Sequence, residues 1–163
     1  MNVRDAEWWT SENGSLRPSG SECAFESGKL EFSQLGIRIH VLPPGESNGL
    51  YHGESEQEDF LVLSGECALL VEGEERRLRA WDFFHAPPWT EHIFVGAGDE
   101  PCAILMVGAR SKDWKVRYTV SELASRHGAG VEEEATDPSQ AYGGKFEPSR
   151  RERPSFWASL PWA

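Results

Sequence analysis

Between Leu35 and Arg110 the sequence falls into short apolar runs, each closed by a turn signal, at roughly 8–12-residue spacing. This punctuation constrains the fold more than any other feature. Ile37, Ile39 and Val41 alternate with Arg38 and His40, the period of two that marks a half-buried strand. On that reading the apolar trio faces the core and His40 points outward in a structural role. Asp59–Ser64 (DFLVLS) stops at Gly65, Cys67–Val71 (CALLV) ends at Glu72-Gly73, and Glu74–Arg79 returns with charges. Trp81–Ala86, His92–Val95 and Cys102–Val107 complete the set, separated by Pro87-Pro88 and by the GAGD turn at 96–99. No helical period intervenes. The pattern predicts an all-β sandwich or barrel.

The two ends read differently. Residues 1–34 contain a Trp8-Trp9 pair, a Ser/Gly/Pro stretch over 11–21 and then CAFESGKLEF, an arm followed by edge strands. After Arg110, Thr119–Gly128 reads as one short helix, with Thr119 and Glu122 as a capping box and Gly128 as the stop. From Thr136 the chain is rich in Pro, Gly, Ser and Arg, yet it carries Phe156, Trp157, Leu160 and Trp162. A free tail would lack such anchors. We therefore expect three parts: an N-terminal arm over 1–34, a barrel over 35–110, and an extension over 111–163 that packs on its own barrel or a partner chain.

Charge narrows the partners. Against 16 Lys and Arg stand 27 Asp and Glu, a net of −11 over 163 residues. Such a field repels phosphate backbones and anionic lipid, so neither nucleic acid nor membrane is an expected partner. Met1–Thr10 lacks the apolar stretch of a signal peptide, and Cys23, Cys67 and Cys102 form no CxxC pair or dense framework. The expected location is the cytoplasm, with the cysteines as small buried apolar residues.

Chemistry concentrates in PGESNGLYHGESEQEDFLVLSG, residues 44–65. His52 and Glu54 stand at i and i+2, on one face of a strand, and Glu58 opens the next run. His92 heads another strand after the proline turn. Two imidazoles and two carboxylates converging inside a barrel would suit a divalent cation, with the carboxylates cancelling its charge. The alternatives are a polar barrel lining filled with water, or a solvated acidic turn, since Glu46, Glu56 and Asp59 crowd the same stretch. Alternation from these residues places Leu50, Phe60, Val62, Phe84, Thr90 and Phe94 around the pocket. Alternation from Asp82 also puts Phe83 and His85 on the side of their strand opposite Phe84 and Ala86, and His127 falls in the last helical turn.

The two segments resemble the paired motifs of the cupin superfamily, small jelly-roll β-barrels. His52, Glu58 and Gly65 match the first motif with its three- and six-residue gaps intact. Six residues, one more than the motif has, separate Gly45 from His52, and Glu54 stands in place of the second histidine. In the second motif Pro87 and His92 are in register and Asp82 matches, while Trp81 and Trp89 occupy glycine positions and Gly96 the asparagine position. The resemblance implies a jelly roll whose metal ligands are His52, Glu54, Glu58 and His92. It implies one divalent transition metal, with zinc, manganese, nickel and iron all open, and a homodimer as the usual assembly. The expected function is binding of a small polar or anionic molecule in the barrel. Two readings stay open: an oxygenase, isomerase or lyase that transforms the molecule, and a binding or sensing protein without turnover.

Overall fold

The computed structural model describes residues 2–11, 20–26, 31–143 and 150–163. Parts of the predicted Ser/Gly/Pro arm and of the tail lie outside these residues. The alternating runs form strands β1 (Trp8–Ser11), β2 (Gly20–Ala24), β3 (Leu35–Leu42), β4 (His52–Glu54), β5 (Glu58–Ser64) and β6 (Glu66–Val71). They continue with β7 (Glu74–Arg79), β8 (Phe83–Ala86), β9 (His92–Ala97), β10 (Cys102–Ala109) and β11 (Val116–Tyr118). One antiparallel sheet has the order β1-β2-β3-β10-β5-β8 and the other β11-β4-β9-β6-β7, the two faces of a jelly roll. The fold class expected from the sequence is the one observed.

Turn chemistry sets the crossings. Glu72 and Gly73 both have positive φ, 48° and 78°, the pairing of a tight two-residue hairpin that joins β6 to β7. Gly65 turns the chain from the first sheet to the second at φ 72°, and a Cβ there would sit 2.5 Å from the Pro101 carbonyl oxygen. Only glycine fits.

Four apolar clusters result among the described residues, three of them layered on the sheets. Between the sheets lie Leu42, Phe60, Val62, Leu69, Phe94 and Ile104. On the outer face of the second sheet, Tyr51, Leu70, Ile93 and Val95 are covered by α1 (Glu122–Arg126) through Leu123 and Ala124. This helix is shorter than the sequence suggested. Its cap is Ser121, whose hydroxyl accepts from the Ala124 amide, so Thr119 is not the capping residue. A second short helix, α2 (Pro138–Ala141), capped by Asp137, was not anticipated.

The third layer reverses an expectation about β3. Ile39 and Val41 face outward and are covered by Trp8, Phe156, Trp157, Leu160 and Trp162 of the same chain. Trp8 stacks on Trp162 at 5.7 Å and meets Trp157 edge-on at 5.3 Å. Leu42 belongs to the layer between the sheets, so by alternation Arg38 and His40 face inward with it. His40 is accordingly 5% exposed. Period two specifies that two faces differ. Which face is interior was decided by a tail more than 100 residues away in sequence. No helix among the described residues is long and apolar enough to cross a membrane.

Candidate metal centre

Strand pairing assembles the centre from both sheets. His52 of β4 lies directly opposite His92 of β9, so the two imidazoles are cross-strand neighbours with ring centroids 5.5 Å apart. Glu54 shares the face of His52 because buried Gly53 intervenes; a Cβ on Gly53 would press on the Trp89 carbonyl oxygen at 3.1 Å. Glu58 reaches in from the opposite sheet, at the head of β5. His52, Glu54 and Glu58 each offer one ligand atom within 4.8 Å of the others. His92 joins through Glu58, its Nε2 standing 3.4 Å from Glu58 Oε2. His52 Nε2 is 3.6 Å from Glu54 Oε1.

Both imidazoles are oriented from behind. His52 Nδ1 donates to the Leu50 carbonyl at 2.6 Å, and His92 Nδ1 donates to the Thr90 carbonyl at 3.0 Å. A carbonyl only accepts, so each ring keeps a proton on Nδ1 and turns Nε2 to the cluster, where the neutral form of the ring offers a lone pair. Trp114 Nε1 donates to Glu54 Oε2 at 2.7 Å, leaving Oε1 as the inward oxygen. Glu58 Oε2 is buried and has no hydrogen-bond partner. Outer partners that fix the tautomer and aim the carboxylate are the usual support of metal ligands, and an orphaned buried oxygen is costly without a cation or proton. The donor set therefore fits a divalent ion.

The electrostatics agree. Burial, followed by the neighbouring Glu54 carboxylate, pushes Glu58 up to about 7. Burial, then the charge of His52, pushes His92 down to about 4. For His52 burial works downward, but the Glu54 and Glu58 carboxylates outweigh it and hold the ring above its usual value. For Glu54 burial works upward and is outweighed by His52 and Trp114, which keep the carboxyl below its usual range. Two carboxylates in a shielded space are thus in competition for one positive charge.

The cluster opens into a cavity of about 650 Å³ whose wall includes Arg38, His40, Asn48, Phe60 and Met106. Of the residues expected around it, Phe60 lies on the wall, its ring 5.1 Å from that of His92. Val62 and Phe94 lie in the layer between the sheets, and Phe84 packs against that layer 6.0 Å from the Phe60 ring. Leu50 instead joins Val116, Tyr118 and Tyr142 outside the barrel, because β4 begins only at His52 and alternation does not reach back to it. Thr90 contributes its carbonyl to His92, and its side chain is not on the cavity wall. His85 is exposed and bonded to Asp59 at 2.7 Å, while His127 closes α1 and pairs with Glu75 at 3.1 Å. The sequence reading missed Arg38, Asn48, Met106 and Trp114. The extra residue between Gly45 and His52 was a signal for Asn48; Trp114 left none.

A family model for the cupin domain matches residues 38–108. Among solved structures, the chain is similar to a cupin-superfamily sugar phosphate isomerase of Silicibacter pomeroyi DSS-3, with 21% identity, a TM-score of 0.63, and coverage of 84% of this chain and 90% of that one. It is also similar to a candidate sugar phosphate isomerase of Acidithiobacillus ferrooxidans, with 25% identity and a TM-score of 0.53, over 60% of this chain and 64% of that chain. The DMSP lyase DddQ of Ruegeria pomeroyi DSS-3 matches at 22% identity and a TM-score of 0.52, over 66% of this chain and 58% of the lyase. The chain thus spans under two thirds of the Acidithiobacillus and Ruegeria proteins.

Proposed function

The chain belongs to the cupin superfamily, and we propose that its barrel holds one divalent transition metal on His52, Glu54, Glu58 and His92 and uses it to bind a small polar or anionic molecule. The observation that carries this reading is the pair of imidazoles whose Nδ1 protons are committed to the Leu50 and Thr90 carbonyls, leaving both Nε2 atoms turned toward the two glutamates. When bound, such an ion polarises oxygen ligands as a Lewis acid. The protein's own part is to aim the donors, exclude bulk water and supply a polar wall.

His40 on that wall adds a titratable group beyond the ligands, which supports turnover of the isomerase or lyase kind. Non-catalytic binding is the second reading. It is favoured by the ligand charge, since two carboxylates neutralise a dication and lower its pull on a substrate. The same proposal places the protein in the cytoplasm as a homodimer, with residues 35–110 as the barrel and both ends as additions to it.

Metal analysis by plasma emission on the purified full chain tests the centre. About one equivalent is expected in the wild type, and a clear loss in His52→Ala and His92→Ala. A metal content equally low in all three proteins would overturn the assignment.

A further inference from the structure

We propose that the ligand of this pocket is a small acid whose anionic group is received between Arg38 and Asn48 while its other end faces the cation site. The proposal deepens the preceding reading, and rests on it only for the cation.

Asn48 is clamped to β9 at two points. Its backbone N–H donates to the Phe94 carbonyl at 3.1 Å, and its side-chain Oδ1 accepts from the Phe94 amide at 2.9 Å. The amide's orientation is thereby set, and its NH2 group is turned to the cavity wall. There its acceptor is the Met106 thioether at 4.0 Å. A thioether is a weak acceptor, so a pre-aimed donor stands available to an oxygen of a ligand. Asn48 lies in the turn that carries the extra residue before His52.

Register places Arg38 beside it. Met106 of β10 lies opposite Arg38 of β3 on one side and Phe60 of β5 on the other. Arg38, Met106 and Phe60 thus form one rung of the sheet, with the Asn48 amide over its middle. The next rung is Gly36, Gly108 and Glu58. Neither glycine places a side chain beside the carboxylate: a Cβ on Gly108 would stand 3.6 Å from Glu58 Oε1, while the space over Gly36 is taken by the Arg110 guanidinium, 3.0 Å from where its Cβ would be. From the Glu58 and Phe60 strand to that of Arg38 are two strand spacings, about 10 Å. A molecule of a few carbons spans it.

The two arginines on the cavity wall are not equivalent. Arg110 is held by both oxygens of Glu26, at 2.7 and 2.6 Å, and by the Phe32 carbonyl at 2.9 Å. Arg38 has one contact to Glu22 at 3.2 Å, with 52% and 42% of the two side chains exposed. Such a pair contributes little and is easily exchanged, whereas a guanidinium fork facing a carboxylate or phosphate gains two charge-assisted bonds. A neutral ligand would leave that fork unused.

Calorimetric titration of the full chain, metal-loaded and metal-free, with malonate, inorganic phosphate and the neutral malonamide tests the assignment. Malonate or phosphate is expected to bind roughly tenfold or more tightly than malonamide, and the stronger of the two identifies the acid as carboxylate or phosphate. Arg38→Met should weaken acid binding by roughly tenfold. Asn48→Asp keeps an acceptor for the Phe94 amide but removes the donor, and should weaken it by a similar factor. Equal binding of malonamide, undiminished binding by both variants, or no acid binding in the millimolar range would overturn the proposal. Metal content is measured on the same samples. Its absence from the wild type falls on the metal reading alone, because the acid preference is also read in metal-free protein.

Discussion

Trp114 shows how much of the centre depends on a single side chain remote from the ligand motif. Its indole N–H takes one oxygen of Glu54 and so limits that carboxylate to one inward donor atom. Trp114→Phe should weaken divalent-metal affinity about tenfold, the scale of lost outer-shell support, as read by chelator competition. Its melting temperature should move little, because the ring is 42% exposed. A large thermal shift with unaltered affinity would make Trp114 structural only. Another residue-scale expectation concerns pH. Two hydrogen bonds from Arg110, then one from the Phe32 amide, bring Glu26 down to about 2. Its folded value lies below the unfolded one near 4.3. The sign follows: its contribution is complete above the unfolded value and is lost as pH falls through the folded one. In urea melts, the stability gap between wild type and Glu26→Gln should therefore shrink between about pH 5 and pH 2. The pair lies at the surface, with the Arg110 side chain 42% exposed, and solvent screening keeps the gap small throughout.

At the scale of elements, turns carry the fold where side-chain alternation cannot. Gly65 lies between β5 and β6 with positive φ and the Pro101 carbonyl where a Cβ would go. Gly65→Ala combines a left-handed backbone with a backbone clash and should destabilise by about 2–4 kcal/mol in chemical denaturation. Elements of β-structure were legible because alternation and turn residues are local signals, which is why β5, β6, β7 and β10 fall where the sequence suggested. The cap of α1 was not legible between Thr119 and Ser121. Both are good capping residues, and the choice depends on where Tyr118 leaves its pairing with Ala135. His40 was misplaced for a related reason: alternation defines two faces of β3 without naming the inner one.

The whole molecule is a barrel closed on its outer face by its own ends. Removing residues 150–163 would strip Phe156, Trp157, Leu160 and Trp162 from Ile39 and Val41. Truncated protein should show a lowered melting temperature and increased binding of an apolar dye, while sedimentation of the same sample tests the proposed homodimer. An unchanged melt would mean that this layer contributes nothing to stability. Burial pushes the Cys23 thiol up to about 11, and Cys23, Cys67 and Cys102 are all free and buried. Native full-length protein should therefore react slowly with a thiol reagent, and truncation should speed Cys23, which sits in the layer the tail covers.

Strand alternation and turn residues, both properties of neighbouring residues, were sufficient to determine an all-β sandwich or barrel, and the resemblance of the segments around His52, Glu54, Glu58 and His92 to the cupin motifs implied the jelly roll and nominated its polar cluster. Coordinates alone decided which face of β3 is interior, that Trp114 steers Glu54, and that Asn48 stands over the Arg38–Met106–Phe60 rung. Those relations join residues up to more than 100 positions apart, and contacts of that kind follow from packing rather than from any local period.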